Sequence, residues 1–235
     1  SSMHLMGRQA ELHVHGPGLL KEIIDLQLRA SGTYLRYPWH FHVVEPVSGA
    51  LVWDDGRVVV RSLALKHRIP CSGYVFEERP AARALRPDKL HLVPQFKRAA
   101  IKNGEDLRFP DGAVYPNADL TLDPPAVRRY AYCSDTAYDP ALVPFLRGVD
   151  LLYHEATFTE LLRKRAQETL HSTAAQAATI ARDAEVGKLL LGHFSSRYKS
   201  ADELLAEALP IFPRTELSSE GLVFPVIKRS IVQIS

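Results

Sequence analysis

Four times in this chain an apolar run ends by delivering a single imidazole or carboxylate. His67 follows SLALK, Asp135 follows RYAYCS, His154 follows DLLY and His193 follows KLLLG. A buried imidazole or charged group requires partners, and α/β enzymes place reactive groups at strand ends and in the loops beyond them. The chain is therefore constrained to a layered fold whose strand ends share a polar site. Taken singly, each histidine reads as an ordinary core or surface residue; it is the four together that point to a site.

The pattern between these runs supplies the layers. Glu11 to His15 alternates polar and apolar and ends at Gly16-Pro17-Gly18, after which Leu19, Leu20, Ile23, Ile24 and Leu28 recur at helical spacing, so a strand, a turn and a helix are expected. Val58 to Leu65 and Ser72 to Phe76 are rich in β-branched and aromatic residues and flank Ile69-Pro70, while Arg129 to Ser134 alternates again; all three read as strands. Leu151-Leu152-Tyr153 (strand), Ser172 to Ala184 (helix, capped by Ser172 or Thr173), Lys188 to Leu191 (strand) and Ala201 to Leu209 (helix) continue the alternation. That alternation indicates an α/β layer arrangement.

With 235 residues the chain can bury a full core, and its formal net charge of +2 does not by itself announce nucleic acid. Charge is concentrated locally instead. The stretch Arg79 to Lys102 carries seven Lys or Arg against the single acid Asp88, with three prolines spread through it. It reads either as a solvated loop or as a projecting arm that grips phosphates. Cys71 and Cys133 lack a CxxC spacing and sit in apolar surroundings, which indicates reduced thiols that pack. No apolar run is long enough to span a membrane and no leader pattern is present, so a soluble, cytoplasmic protein is expected.

His13-Val14-His15 raises the question of metal at once, because an H-x-H-x-D-H run after a strand can hold two adjacent ions. Here Gly16-Pro17-Gly18 stands where the Asp and second His would be. His40-Phe41-His42 repeats the pattern and runs on into Val43-Val44-Glu45-Pro46.

CSDTAY (133 to 138), LLYHEATF (151 to 158), LHSTAAQAA (170 to 178) and LLLGHFSSRY (189 to 198) resemble, in this order, the signature motifs of the ribonuclease Z family within the metallo-β-lactamase superfamily. LKHRIPCSGYVFEE (65 to 78) resembles the segment before that family's inserted arm, and the first twenty residues resemble the segment just after its metal motif. The resemblance runs along essentially the whole chain. It places the H-x-H-x-D-H motif immediately before Ser1-Ser2, so the chain is read as N-terminally incomplete, with the remaining ligands and the usual catalytic Asp outside it. On the same resemblance His13 and His15 are structural.

The resemblance implies a four-layer αβ/βα metallo-β-lactamase fold over 1–235, with an inserted basic arm at 77–116. It implies two zinc ions per complete subunit, with His67 binding one, His193 the other and Asp135 bridging them, since two close dications need shared negative charge. His154 and Glu155 belong to its HEAT motif and His171 to its HST motif. Glu155 would orient His171, which donates a proton to the departing ribose oxygen. Arg197 would clamp a phosphate, its planar fork matching phosphate oxygens, with a surface ion pair as the lesser alternative. Lys97, Arg98 and Lys102 would grip precursor tRNA, usually that cleaved in the partner subunit of a homodimer.

The expected function is thus a zinc-dependent endoribonuclease that removes the 3′ trailer of precursor tRNA, with the chain as it stands inactive alone. Two other readings stay open. One is a general zinc phosphodiesterase, for which the basic arm would be superfluous; the other is a non-catalytic tRNA-binding or dimerisation fragment.

Overall fold

A computed structural model describes residues 2–228, and Ser1 and the last seven residues of the domain expected over 1–235 lie outside them. Contacts divide the chain into two compact units, one joining the chain before Glu78 to the chain after Val127, the other Glu78–Val127.

The first unit is built on a seven-stranded sheet. Its strands are β3 (Leu51–Asp54), β4 (Val58–Leu65), β5 (Cys71–Glu78), β6 (Arg129–Cys133), β7 (Leu151–Glu155), β8 (Lys188–Gly192) and β9 (Thr215–Leu217), in spatial order β9-β8-β7-β6-β5-β4-β3. Strands β6 to β9 run parallel, whereas β5 is antiparallel to β6 and β3 to β4. The near-continuous apolar runs of β7 and β8 suit parallel strands covered on both faces, and Leu151, Leu152, Leu189, Leu190 and Leu191 are all buried.

Helix α2 (Ala174–Asp183) packs on this sheet through Ala174, Ala177, Ala178, Ile180 and Ala181, all fully buried. Truncating Ile180 to Ala there would cost about 2–5 kcal/mol through lost burial and the cavity left behind. The helix starts at Ala174, later than the expected Ser172, because Thr173 is its cap: Thr173 Oγ1 accepts from the Gln176 N–H and the Gln176 side chain accepts from the Thr173 N–H. His171 and Ser172 are thereby left extended in front of it. A shorter helix, α3 (Asp202–Ala208), follows β8, with Leu204 and Ala208 buried.

Two further strands, β1 (Leu12–Gly16) and β2 (Trp39–Val43), pair in parallel across the helix α1 (Gly18–Ala30), which serves as their crossover. Among the described residues no helix is long and apolar enough to cross a membrane.

The second unit has its own small core of Val93, Ile101, Leu107 and Leu120, flanked by Leu85, Leu92 and Phe109. It overlaps the arm expected at 77–116 and extends past it, for a physical reason. Asn117 Nδ2 donates to the carbonyls of Ile101 and Glu105 at 2.7 Å each, and Thr121–Leu122 pairs with Ala84–Leu85, so the chain after Pro116 closes the unit's own core. Charge is segregated within it. The basic stretch 79–102 is followed by Glu105, Asp106, Asp111, Asp119 and Asp123, and Arg83 pairs with Asp123 at 2.5 Å. Lys97 Nζ donates to the Arg108 carbonyl at 2.6 Å and Arg98 Nε to the Val93 carbonyl at 3.3 Å, while Lys102 is exposed.

Candidate active site

Glu155, the last residue of β7, is fully buried and holds three loops together. Its carboxylate accepts from the Thr136 N–H just beyond β6, from Thr157 Oγ1 at 2.6 Å just beyond β7, and from the Ser172 N–H at 3.1 Å just before α2. It also takes His171 Nδ1 at 3.0 and 3.2 Å on its two oxygens. Burial acts to raise the Glu155 pKa, but the hydrogen bonds from His171, Thr157 and Ser172 together hold it below the ordinary carboxylate value. The Glu155 hydrogen bond raises the His171 pKa against the opposing effect of burial.

A second pair stands beside the first. His193 Nε2 lies 3.1 Å from Asp135 Oδ1, and the His193 ring stacks on that of His171 with centroids 5.3 Å apart. Thr157 Oγ1 fixes His193 from behind, 2.9 Å from its Nδ1 and 3.0 Å from its carbonyl oxygen. Asp135 and His193 each adopt a left-handed backbone, φ 58° and 57°, as the chain turns off β6 and β8. Directly before His193, Gly192 lies so close to the Tyr153 ring that a Cβ would collide with it.

One donor atom from each of Asp135, Glu155, His171 and His193 lies within 4.8 Å of the others. The structure thus brings together four of the residues singled out from sequence. His67 stands next to them, its ring 5.3 Å from that of His171 and its Nδ1 3.3 Å from the Leu170 carbonyl, outside the donor group itself. His154 does not join them. Strand alternation turns it away from Glu155, and it is fully buried, with Nδ1 2.8 Å from the Glu155 carbonyl, no partner at Nε2 and a pKa lowered by burial. Arg197 is exposed, donates from Nε to Ser195 Oγ at 3.0 Å and lies 5.0 Å above the Phe158 ring.

Thr136, Thr157 and Ser172 were given no part in the site from sequence, although they lie inside the CSDTAY, HEATF and HST motifs. Hydroxyl and backbone donors carry no charge signal in a sequence, so only the geometry reveals them. Cys133 is fully buried and its thiol is pushed up to about 12 by burial, which fits packing rather than a thiolate ligand.

The donors suit zinc. Zinc takes imidazole and carboxylate at about 2.0–2.2 Å, so neighbouring ligand atoms of a tetrahedral site stand about 3.3 Å apart, close to the Asp135–His193 spacing of 3.1 Å.

No family model matches the chain. Ribonuclease Z of Bacteroides thetaiotaomicron is 44% identical over 228 residues, which cover 96% of this chain and 72% of that protein. The chain belongs to the ribonuclease Z family. Ribonuclease Z of Porphyromonas gingivalis W83 is likewise 44% identical, over 224 residues covering 94% of this chain and 74% of the relative. Among solved structures the short form of human tRNase Z superposes with a TM-score of 0.61 at 21% identity, covering 96% of this chain and 71% of that one. A metallo-β-lactamase fold protein from Bacillus subtilis gives 0.59 at 17% identity, covering 95% and 69%. The fold is that of the metallo-β-lactamase proteins, as expected for a ribonuclease Z family member.

Proposed function

We propose that this ribonuclease Z family chain belongs to a zinc-dependent endoribonuclease that removes the 3′ trailer of precursor tRNA by phosphodiester hydrolysis, acting as a cytoplasmic homodimer. The observation that carries the reading is the Glu155–His171 pair set against the Asp135–His193 pair. With His171 Nδ1 committed to Glu155, Nε2 is left to hold a proton for the departing ribose oxygen. Glu155 keeps that imidazole protonated and correctly turned, as a general acid requires. Held by His67, Asp135 and His193, zinc would supply Lewis-acid polarisation of the phosphate and activation of water. Arg197, braced by Ser195 and Phe158, offers its planar fork to a phosphate. The arm 77–116, with Lys97, Arg98 and Lys102, would hold the tRNA body away from the scissile bond, so that remote binding energy positions the reacting phosphate.

The test uses the protein at the full length of its relatives, supplied with zinc, and a precursor tRNA carrying a 3′ trailer. Trailer release is expected, and both Asp135→Asn and His171→Ala should reduce it by about 10²-fold or more. Release that is unchanged in both variants would refute the assignment. Hydrolysis of bis(p-nitrophenyl) phosphate without trailer release would favour a general phosphodiesterase.

A further inference from the structure

The two His-x-His motifs, treated apart in the sequence, face each other in the fold. The parallel register sets His13 opposite His40 and His15 opposite His42, and the two-residue period of a strand puts all four on one face. Their rings stack, with centroids 4.9 Å apart for His13 and His40, 5.1 Å for His13 and His42 and 4.5 Å for His15 and His42. Glu11, one residue before β1, reaches over this face. Its Oε2 lies 3.3 Å from His40 Nε2 and its Oε1 3.6 Å from His13 Nε2.

We infer that Glu11, His13 and His40 form a second metal site, on a different sheet from the Asp135 cluster, for a first-row divalent ion that prefers imidazole, with zinc as the reference case. One donor atom from each of the three lies within 4.8 Å of the others. The Glu11–His40 spacing of 3.3 Å matches the edge of about 3.3 Å that a tetrahedral zinc site with bonds of about 2.0–2.1 Å demands, and the other carboxylate oxygen stands 3.6 Å from His13, so Glu11 presents one oxygen to each imidazole. His13 Nδ1 and His42 Nε2 are 2.8 Å apart, one donating to the other. That bond orients His13 so that its Nε2 faces Glu11. Metal-ligating histidines are commonly held this way, through their other ring nitrogen.

The crowding itself favours the ion. Like charges on stacked rings would repel one another. Neutral imidazole is the form that binds metal. Access is open, since the side chains of His13, His40 and Glu11 remain 32%, 48% and 61% exposed. Without an ion the same geometry would be two ordinary His–Glu ion pairs, which are weak at a surface and give His42 no reason to fix the His13 ring.

The test is zinc stoichiometry by equilibrium dialysis on the full chain. Replacing His13→Ala together with His40→Ala should remove one bound equivalent, both in the parent and in an Asp135→Asn/His193→Ala background. His42→Ala should retain the ion with about 10- to 100-fold weaker affinity. Unchanged stoichiometry in the His13/His40 variant would overturn the inference, as would a loss that disappears in the Asp135/His193 background. Histidine ring resonances of the unsubstituted chain decide the matter even if the variants misfold. Zinc should shift those of His13 and His40, and stationary signals from both at saturating zinc would overturn it.

Discussion

Replacing Glu155 by Gln tests whether this one carboxylate organises the site. The side chain is fully buried and takes hydrogen bonds from three loops and one imidazole, at Thr136, Thr157, Ser172 and His171. An amide of the same shape has one accepting oxygen and an NH2 group that must face donors. At least one backbone donor, the Thr136 or the Ser172 N–H, is then left unsatisfied, and His171 loses its counter-charge. Breaking a buried charge pair by changing one partner costs about 3–5 kcal/mol, against a total stability of about 5–15 kcal/mol. For a chain of this size that is a fall of about 6–20 °C in Tm, at about 2–4 °C per kcal/mol. His171→Ala removes only one of the four contacts, and its side chain is 17% exposed, so a loss of about 1.5–3 kcal/mol is expected. Urea or thermal unfolding of both variants, with the double variant closing the cycle, measures the difference. If Glu155→Gln costs less than about 1 kcal/mol, or no more than His171→Ala, the carboxylate does not hold the loops together.

On precursor tRNA, the full-length protein with His171→Ala should lose about 10²- to 10⁴-fold in kcat with KM nearly unchanged, read by single-turnover trailer release. The pH profile should be bell-shaped. His171, raised above its usual 6.5, contributes as the protonated form at low pH and is lost as pH rises through its folded value, whereas Glu155, held below its usual 4.5, is lost only as pH falls through its own. Replacing Lys97, Arg98 and Lys102 with Ala should weaken tRNA binding and flatten its dependence on salt while leaving bis(p-nitrophenyl) phosphate hydrolysis unchanged; equal losses on both substrates would point to a damaged fold. A thiol-alkylating reagent should modify Cys71, which is partly exposed, well before Cys133, whose thiol lies near 12 and reacts only on unfolding, as mass mapping of the two peptides would show.

Much of this architecture is legible in the sequence because burial leaves a mark there. β7, β8 and α2 are recognisable from Leu and Ala runs whose apolar faces have no alternative but the core. The order of the reactive residues is legible too, since an imidazole or carboxylate at the end of an apolar run stands out. What pairs with what is less so. The sequence places His13-Val14-His15 on a strand and shows the same pattern at His40-Phe41-His42, but the second strand and the parallel register that sets the two motifs face to face are tertiary properties. The arm is a case of partial legibility. Its basic stretch is evident, yet the acids at 105–123 that follow it, and the Arg83–Asp123 pair they make, show that part of the charge is used internally.

Backbone conformation explains why chemistry and architecture coincide at Asp135 and His193. Both strands end in a left-handed residue, a conformation that costs most side chains about 1–2 kcal/mol and that glycine alone adopts freely. Asp, Asn and His are among the few others enriched there. A strand end that must turn sharply and present a donor atom can therefore use one residue for both tasks, where glycine would turn but offer nothing. Leu170 shows the opposite economy. It too is left-handed, at φ 57°, closing the helix Arg163–Thr169, but it offers its carbonyl, 3.3 Å from His67 Nδ1. Among the described non-glycine residues only Glu185 shares this conformation away from the cluster. The strain is concentrated where three turns must hold His67, Asp135, His171 and His193 in register, and the hydrogen bonds gathered on Glu155 keep those turns from relaxing.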